Sequence, residues 1–149
     1  MEASTVTSDI RLNGGSIKGG KQLALLADDN ITAKTTNLNT PGNLYVHTGK
    51  DLNLNVDKDL SAASIHLKSD NAAHITGTSK TLTASKDMGV EAGSLNVTNT
   101  NLRTNSGNLH IQAAKGNIQL RNTKLNAAKA LETTALQGNI VSDGLHAVS

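Results

Sequence analysis

The chain has almost no aromatic residues and no cysteine. Its 149 residues include one Tyr and no Phe, Trp or Cys. The lack of Cys excludes disulfides, a thiol nucleophile and thiolate metal sites, and it suits a chain that stays unfolded while it crosses a periplasm. With 36% hydrophobic residues, most of them small or aliphatic, an ordinary globular core would be hard to fill. A narrow solenoid needs only stacked Leu, Ile, Val and Ala, because each coil is covered by the coils next to it.

Other absences narrow the function. No apolar run reaches 18 residues, so no membrane span is predicted, and the first residues lack the basic start and apolar run of a signal peptide. The 14 Lys and Arg are scattered, with no run of three and no interleaved aromatic rings. Nucleic-acid binding is therefore not predicted, despite the net charge of +2. Disorder is disfavoured by the modest charge, the single Pro and the regular apolar spacing.

What the chain does have is a repeat of short apolar strands. The segment Asp51–Asp70 holds three of them, separated only by Asn, Asp, Lys and Ser, and each alternates as a half-buried strand does. The first strand of each coil is anchored by Ile10, Ile31, Leu52, Ile75, Leu95, Ile118 and Ile140. The second is anchored by Ile17, Leu38, Leu60, Leu82, Leu102 and Leu125, and the third by Leu23, Leu44, Ile65, Val90, Leu109 and Leu131. All three series keep a period of about 21–22 residues.

The turns between these strands carry turn-forming residues. An Asn or Asp precedes many strands: Asn30, Asn37, Asn43, Asp51, Asp59, Asn101, Asn108, Asn117 and Asn139. Such residues tolerate left-handed backbone angles and bond their own backbone. Gly precedes four of the Asn, as in Gly42-Asn43, and Pro41 lies in a turn, where its missing N–H costs no ladder bond.

The repeat predicts an all-β, right-handed parallel β-helix with three strands per coil and about seven coils of about 21–22 residues. Six intervals of about 4.8 Å give a rod about 29 Å long. Residues 1–8 are interpreted as a lead-in, and residues 9–149 as one repeat domain excised from a longer protein. The fourth coil, about 73–92, is the least regular, and its register is ambiguous by one or two residues. Segment 127–136 has helical composition, but the phase of Leu131 favours a strand.

The repeats resemble those of filamentous-haemagglutinin-like exoproteins of Gram-negative bacteria. The residues that carry the likeness are GNLYVHTGKDLNL at 42–54, SLNV at 94–97 with NLR at 101–103, and GNLHIQA at 107–113. The likeness covers about residues 9–144. It implies a surface filament exported by two-partner secretion, as in adhesins and the stalks of contact-dependent growth-inhibition toxins. The export domain and toxin domain of that family have no counterpart in this chain, which implies an interior shaft segment.

One set of outward residues is a candidate binding surface. Tyr45, His66, Glu91, His110 and Glu132 each follow a third-strand anchor and are predicted to form a ladder on one outer face. Alternating His and Glu at strand spacing would bind a metal or respond to pH. A solvated face with cross-strand pairing is the alternative that we favour, because metal sites need three or four convergent ligands. His47, His74 and His146 have no assigned partners.

Four acids lie near one corner of successive coils: Asp28, Asp29, Asp51 and Asp70, with Lys50 among them. Some right-handed β-helices are polysaccharide lyases or hydrolases, so this corner is where an acid or Ca²⁺ site would lie. Enzymes of that kind need a cleft walled by long loops, and no turn here exceeds a few residues. Turn-forming Asp is therefore the favoured interpretation.

These observations favour a non-enzymatic structural shaft with no cofactor and no metal site. The resemblance implies a secreted or cell-surface protein that supports adhesion or presents a distal region. Its expected partners are a receptor on a host cell or a neighbouring bacterium and an outer-membrane secretion partner. A β-helical carbohydrate-active enzyme and a dedicated glycan-binding module remain the alternatives.

Overall fold

The computed structural model describes residues 2–4, 9–34 and 37–149. Throughout this part of the chain, strands are joined by turns and no helix is present, as predicted. The strands are β1 (Glu2–Ser4), β2 (Ile10–Asn13), β3 (Ser16–Lys18), β4 (Gln22–Ala27), β5 (Ile31–Lys34), β6 (Asn37–Asn39), β7 (Asn43–Thr48), β8 (Leu52–Val56) and β9 (Leu60–Ala62). They continue with β10 (Ser64–Ser69), β11 (Ala72–Ala84), β12 (Met88–Ala92), β13 (Ser94–Thr104), β14 (Leu109–Ala113), β15 (Ile118–Asn126), β16 (Leu131–Ala135) and β17 (Ile140–Val148).

The strands stack in parallel on three faces of a solenoid. A seven-stranded sheet runs in the order β1-β4-β7-β10-β12-β14-β16, and an eight-stranded sheet contains β2-β5-β8-β11-β13-β15-β17 with β9 beside β11. β3 and β6 pair on the third face. The predicted right-handed parallel β-helix with three strands per coil is confirmed, with about six turns against the seven expected.

The core is a single column of stacked aliphatic side chains. In β8, β12 and β14, every second residue is buried and those between are half-buried, as expected for strands with one face inward. The predicted anchors that the structure buries are Ile10, Leu23, Ile31, Leu38, Leu44, Leu52, Leu60, Ile65, Ile75, Leu82, Val90, Leu95, Leu102, Leu109, Ile118 and Leu125. Ile140, in the last strand, is 46% exposed.

The register of the fourth coil differs from the prediction by two residues. Met88, not Val90, pairs with Ile65 and Leu109, and Ala73, not Ile75, pairs with Leu52 and Leu95. A shift of two residues keeps the same side chains inward, because strand side chains alternate with a period of two. Hydrophobic alternation therefore could not distinguish the two registers, and Ile75 is buried in either one.

Corner Asn and Asp side chains bond from coil to coil, which corrects the predicted local role. The Oδ1 of Asp9 accepts the backbone N–H of Asn30 at 3.0 Å, and the Oδ1 of Asn30 accepts that of Asp51 at 3.0 Å. Asp51 continues the series by accepting the N–H of Ala72 at 3.1 Å. The N–H at this corner would otherwise have no ladder partner, so the side chain completes the hydrogen bonding between coils. The side chain of Asn37 lies outside the described residues.

The left-handed backbone positions lie at a different bend. In the described chain, the non-glycine residues with positive φ are Ser79, Asn99 and Asn122. Asn99 and Asn122 occupy one bend in successive coils, where the Nδ2 of Asn122 donates to the Oδ1 of Asn99 at 3.2 Å. Gly144, with φ 68°, continues the stack. These residues let β13, β15 and β17 turn between two faces without a separate loop.

Segment 127–136 and the predicted lead-in each contain a strand. Residues 127–136 contain β16 and no helix, which confirms the strand prediction. Within the predicted lead-in, Glu2–Ser4 form β1, which pairs with β4. Residues 1 and 5–8 lie outside the described part.

Candidate functional site

The outward ladder on the seven-stranded sheet is present, but with one change of member. Tyr45 pairs with His66, which pairs with Gly89, then His110 and Glu132. The inclusion of Glu91 was wrong because Met88, rather than Val90, is the anchor of this strand. Glu91 lies on the same outer face in the adjacent row, where it pairs with Lys68 and Gln112.

Aromatic and imidazole rings meet at the amino-terminal end of this ladder, around Tyr45. The rings of Tyr45 and His66 stack with centroids 5.5 Å apart and planes 13° apart. His47 meets the Tyr45 ring edge-on at 6.3 Å, and its Nε2 lies 3.2 Å from the Oδ1 of Asp70. The only Tyr of the chain thus lies on the surface, where it makes the cross-strand ring pairs typical of an exposed sheet face.

The carboxy-terminal end of the ladder, around His110 and Glu132, is a polar cluster. The Nδ1 of His110 lies 3.6 Å from a carboxylate oxygen of Glu132, and its Nε2 lies 3.1 Å from the Oε1 of Gln112. The Glu132 side chain is 65% exposed, so this pair contributes little to stability. In the described part of the chain, no three His, Asp or Glu side chains converge as metal ligands would. The ladder is therefore arranged as cross-strand pairs between neighbouring coils.

Three of the four predicted corner acids make contacts within the solenoid. Asp29 forms an ion pair with Lys50 at 3.2 Å, and Asp70 contacts His47. Asp51 accepts hydrogen bonds from the Nδ2 of Asn71 at 2.8 Å and from the backbone of the next coil. Asp29, Asp51 and Asp70 thus make the contacts expected of turn and corner residues.

Asp9, the first residue of the corner series Asp9, Asn30 and Asp51, has a lowered carboxyl pKa. Asp9 accepts the backbone N–H of Asn30, which lowers the pKa of its carboxyl below 3.8; the side chain of Arg11, 3.3 Å away, acts in the same direction. Hydrogen bonds to the ionised form favour that form. The shift thus reports the contact between coils at this corner.

A second polar surface lies on the outer face of the eight-stranded sheet. One row of this face contains Thr32, Asn53, His74, Asn96 and Gln119, one residue from each of five successive coils. The sequence did not group these residues in one row: His74 had no assigned partner, and the alternative of a glycan-binding module had no named residues. The sequence shows Asn and His at outward strand positions, but these residues align in one row only when the fourth coil has its correct register.

Hollows lie on both sides of His74. One, of about 360 Å³, is lined by Thr32, Lys34, Asn53, Asn55, His74 and Thr76. The other, of about 180 Å³, is lined by His74, Ser94, Leu95, Asn96, Asn117 and Gln119. The surface is thus a shallow, mostly uncharged trough divided by one imidazole.

Comparison with known proteins found no match among protein-family models, curated proteins or solved structures. No helix capable of crossing a bilayer occurs within residues 2–4, 9–34 and 37–149.

Proposed function

We propose that this chain is a structural shaft segment of a secreted bacterial surface exoprotein, where it supports adhesion to cells or presents a distal adhesin or toxin region. The observation that carries the proposal is the unbroken stacking of the coils. First-face residues pair in series from Ile10 through Ile31, Leu52, Ala73, Leu95 and Ile118 to Ile140. Each coil contacts mainly its neighbours, so length is gained by adding coils without a new fold.

The corner hydrogen bonds support rigidity of this shaft. The Oδ1 of Asp87 accepts the N–H of Asn108 at 2.8 Å, and the Oδ1 of Asn117 accepts that of Asn139 at 2.8 Å. Hydrogen bonding between coils therefore continues through corners where the strands end. A solenoid joined at strands and corners resists bending better than one joined at strands alone.

We favour this role over that of a β-helical carbohydrate-active enzyme. Asp29, Asp51 and Asp70 are each bonded to a neighbouring coil, which favours a structural role for these three carboxylates over proton transfer. Screening the purified chain for release of oligosaccharides from acidic polysaccharides tests the choice. Turnover lost on Asp51→Asn would support the enzyme instead.

The shaft role is tested by duplicating two coils. Inserting a second copy of residues 73–117 after residue 117 keeps the repeat in phase, and we expect the rod to lengthen by about 9.6 Å. Small-angle scattering measures the maximum dimension. A control insertion of residues 73–83 breaks the phase and should lower the melting temperature without the matching extension. A duplicated chain that becomes wider but not longer would contradict the proposal.

The proposed location has its own test. Antibodies raised against the folded chain should label intact cells of the producing bacterium, and deletion of the outer-membrane secretion partner should abolish the labelling. Labelling that requires permeabilised cells would contradict a surface location. A permeabilised sample of each strain serves as the control for expression.

A further inference from the structure

The row Thr32–Asn53–His74–Asn96–Gln119 holds polar groups that the fold does not use. In the described part of the chain, the side chains of Asn53, His74 and Gln119 make no hydrogen bond to protein atoms. Asn96 accepts one hydrogen bond, from Thr98 at 2.9 Å. Corner residues such as Asn108 differ, because their side chains bond the next coil. The row therefore has free donors and acceptors.

Two of these amides occupy strand positions at which Asn does not stabilise the strand. Asn is disfavoured inside strands, where β-branched residues pack better, yet Asn53 and Asn96 occupy the interiors of β8 and β13. Thr would serve the strand better at both positions. Asn53 breaks this preference with no compensating hydrogen bond in the described chain, and Asn96 does so with only the one from Thr98. Residues of this kind are candidates for function.

We propose that this row binds a linear neutral oligosaccharide that lies along the rod axis. Amide groups both donate and accept hydrogen bonds, which suits sugar hydroxyls. The coils rise by about 4.8 Å, close to the length of one pyranose ring in an extended chain, so successive rings meet successive coils. The hollows on either side of His74 receive rings, and the imidazole between them offers a flat surface for ring contact.

Two features distinguish this ligand from other classes. The row carries amides, a hydroxyl and an imidazole. The cations beside it are Arg11, which pairs with Thr32, and Lys34, which lines one hollow. Along the described part of the row, no cation recurs from coil to coil, as a sulfated or uronic-acid chain would require. The backbone groups of β8, β11 and β13 are paired on both sides, so an extended peptide cannot add to this sheet as a strand. The proposal does not rest on the shaft role, because a rod without this site would still be a shaft.

Nuclear magnetic resonance titration of the whole chain tests the site. The probes are neutral cello- and malto-oligosaccharides of two to six rings, with a sulfated oligosaccharide and an uncharged extended peptide for comparison. We expect shifts at Asn53, His74 and Asn96 and an affinity that rises with chain length, since each coil adds contacts. Asn53→Thr with Asn96→Thr should weaken binding about tenfold or more while the melting temperature is kept or raised.

His110→Thr, on the outer face of the other sheet, is the matched control and should leave the affinity unchanged. Three results would overturn the proposal. They are an absence of shifts on this face at millimolar neutral oligosaccharide, shifts produced only by the sulfated chain or the peptide, and equal affinity of the double variant and the unaltered chain. We expect the variants to stay folded, so each of these results leaves the shaft proposal standing.

Discussion

Asn108 and Ala130 lie at one corner of successive coils, where the Oδ1 of Asn108 accepts the backbone N–H of Ala130 at 3.1 Å. Asp87 makes the equivalent bond to the N–H of Asn108 at 2.8 Å. The side chain of a repeated Asn or Asp thus accepts a hydrogen bond from a backbone N–H of the next coil along the chain. This relationship explains why the turns of the repeat are rich in these two residues.

Removing that acceptor should destabilise the solenoid modestly. We expect Asn108→Ala to lower the free energy of unfolding by about 1 kcal/mol, because the N–H of Ala130 loses its protein partner. Asn108→Asp keeps an acceptor and should cost less. Asn105→Ala, in the same turn, is the control, since the Asn105 side chain makes no hydrogen bond in the described chain. Equal losses for the variants at 105 and 108 in urea unfolding would contradict the corner role.

Gly93 should be intolerant of a side chain because the preceding coil approaches it closely. A Cβ at this position would lie 2.5 Å from the carbonyl oxygen of Asn71. We expect Gly93→Ala to cost about 1–3 kcal/mol, as overpacking does elsewhere. Gly20→Ala, which adds a methyl group in open space, should stay within about 0.5 kcal/mol. Thermal melts of both variants check the difference, and a neutral Gly93→Ala would show that the coils are farther apart.

Neighbouring residues of β14 test which side chains form the core. Leu109 is fully buried, whereas the next residue, His110, faces outward. Leu109→Ala should lower the free energy of unfolding by about 2–5 kcal/mol through the cavity it leaves. His110→Ala should cost under about 1 kcal/mol. Similar losses for the two variants would contradict the assignment of inward and outward positions.

Asp9 should contribute to stability in a manner that depends on pH. Its pKa is lowered below 3.8 in the folded chain, so folding favours the ionised carboxylate. The contribution is fully present above about pH 4, near the unfolded value, and is lost as the pH falls through the lowered pKa. Carbon-detected titration of Asp9 in folded and urea-unfolded chain measures both values. A folded value equal to or above the unfolded one would refute the contact with Asn30.

The sequence predicted the architecture well because the repeat is readable from inward positions alone. Leu52, Ile65 and Leu109 alternate with polar residues at a fixed period, and each is buried. The register of the fourth coil was not readable, since Met88 and Val90 are both apolar and both point inward. That error of two residues moved Glu91 into the wrong row of the outer face.

The roles of the asparagines were harder to predict for a different reason. The same residue type forms local turns, takes left-handed angles and bonds across coils. Only the fold shows that Asn108 bonds the next coil while Asn99 and Asn122 take the left-handed bend. The row through His74 was also hidden, because its members come from five coils and share a face only after stacking.

The register of the fourth coil gives the most direct test of the stacked-coil account, because every outer row depends on it. The chain has no natural cysteine, so engineered pairs report register without interference. Residues paired on adjacent parallel strands lie about 4.8 Å apart, within the range for a disulfide, whereas an offset of two residues gives about 8 Å, beyond it.

The measurement is the yield of disulfide under mild oxidation in two double variants, His66→Cys with Gly89→Cys and His66→Cys with Glu91→Cys. The account predicts a rapid, nearly complete cross-link for positions 66 and 89 and little for positions 66 and 91. A dominant cross-link between positions 66 and 91, or none in either variant, would contradict it.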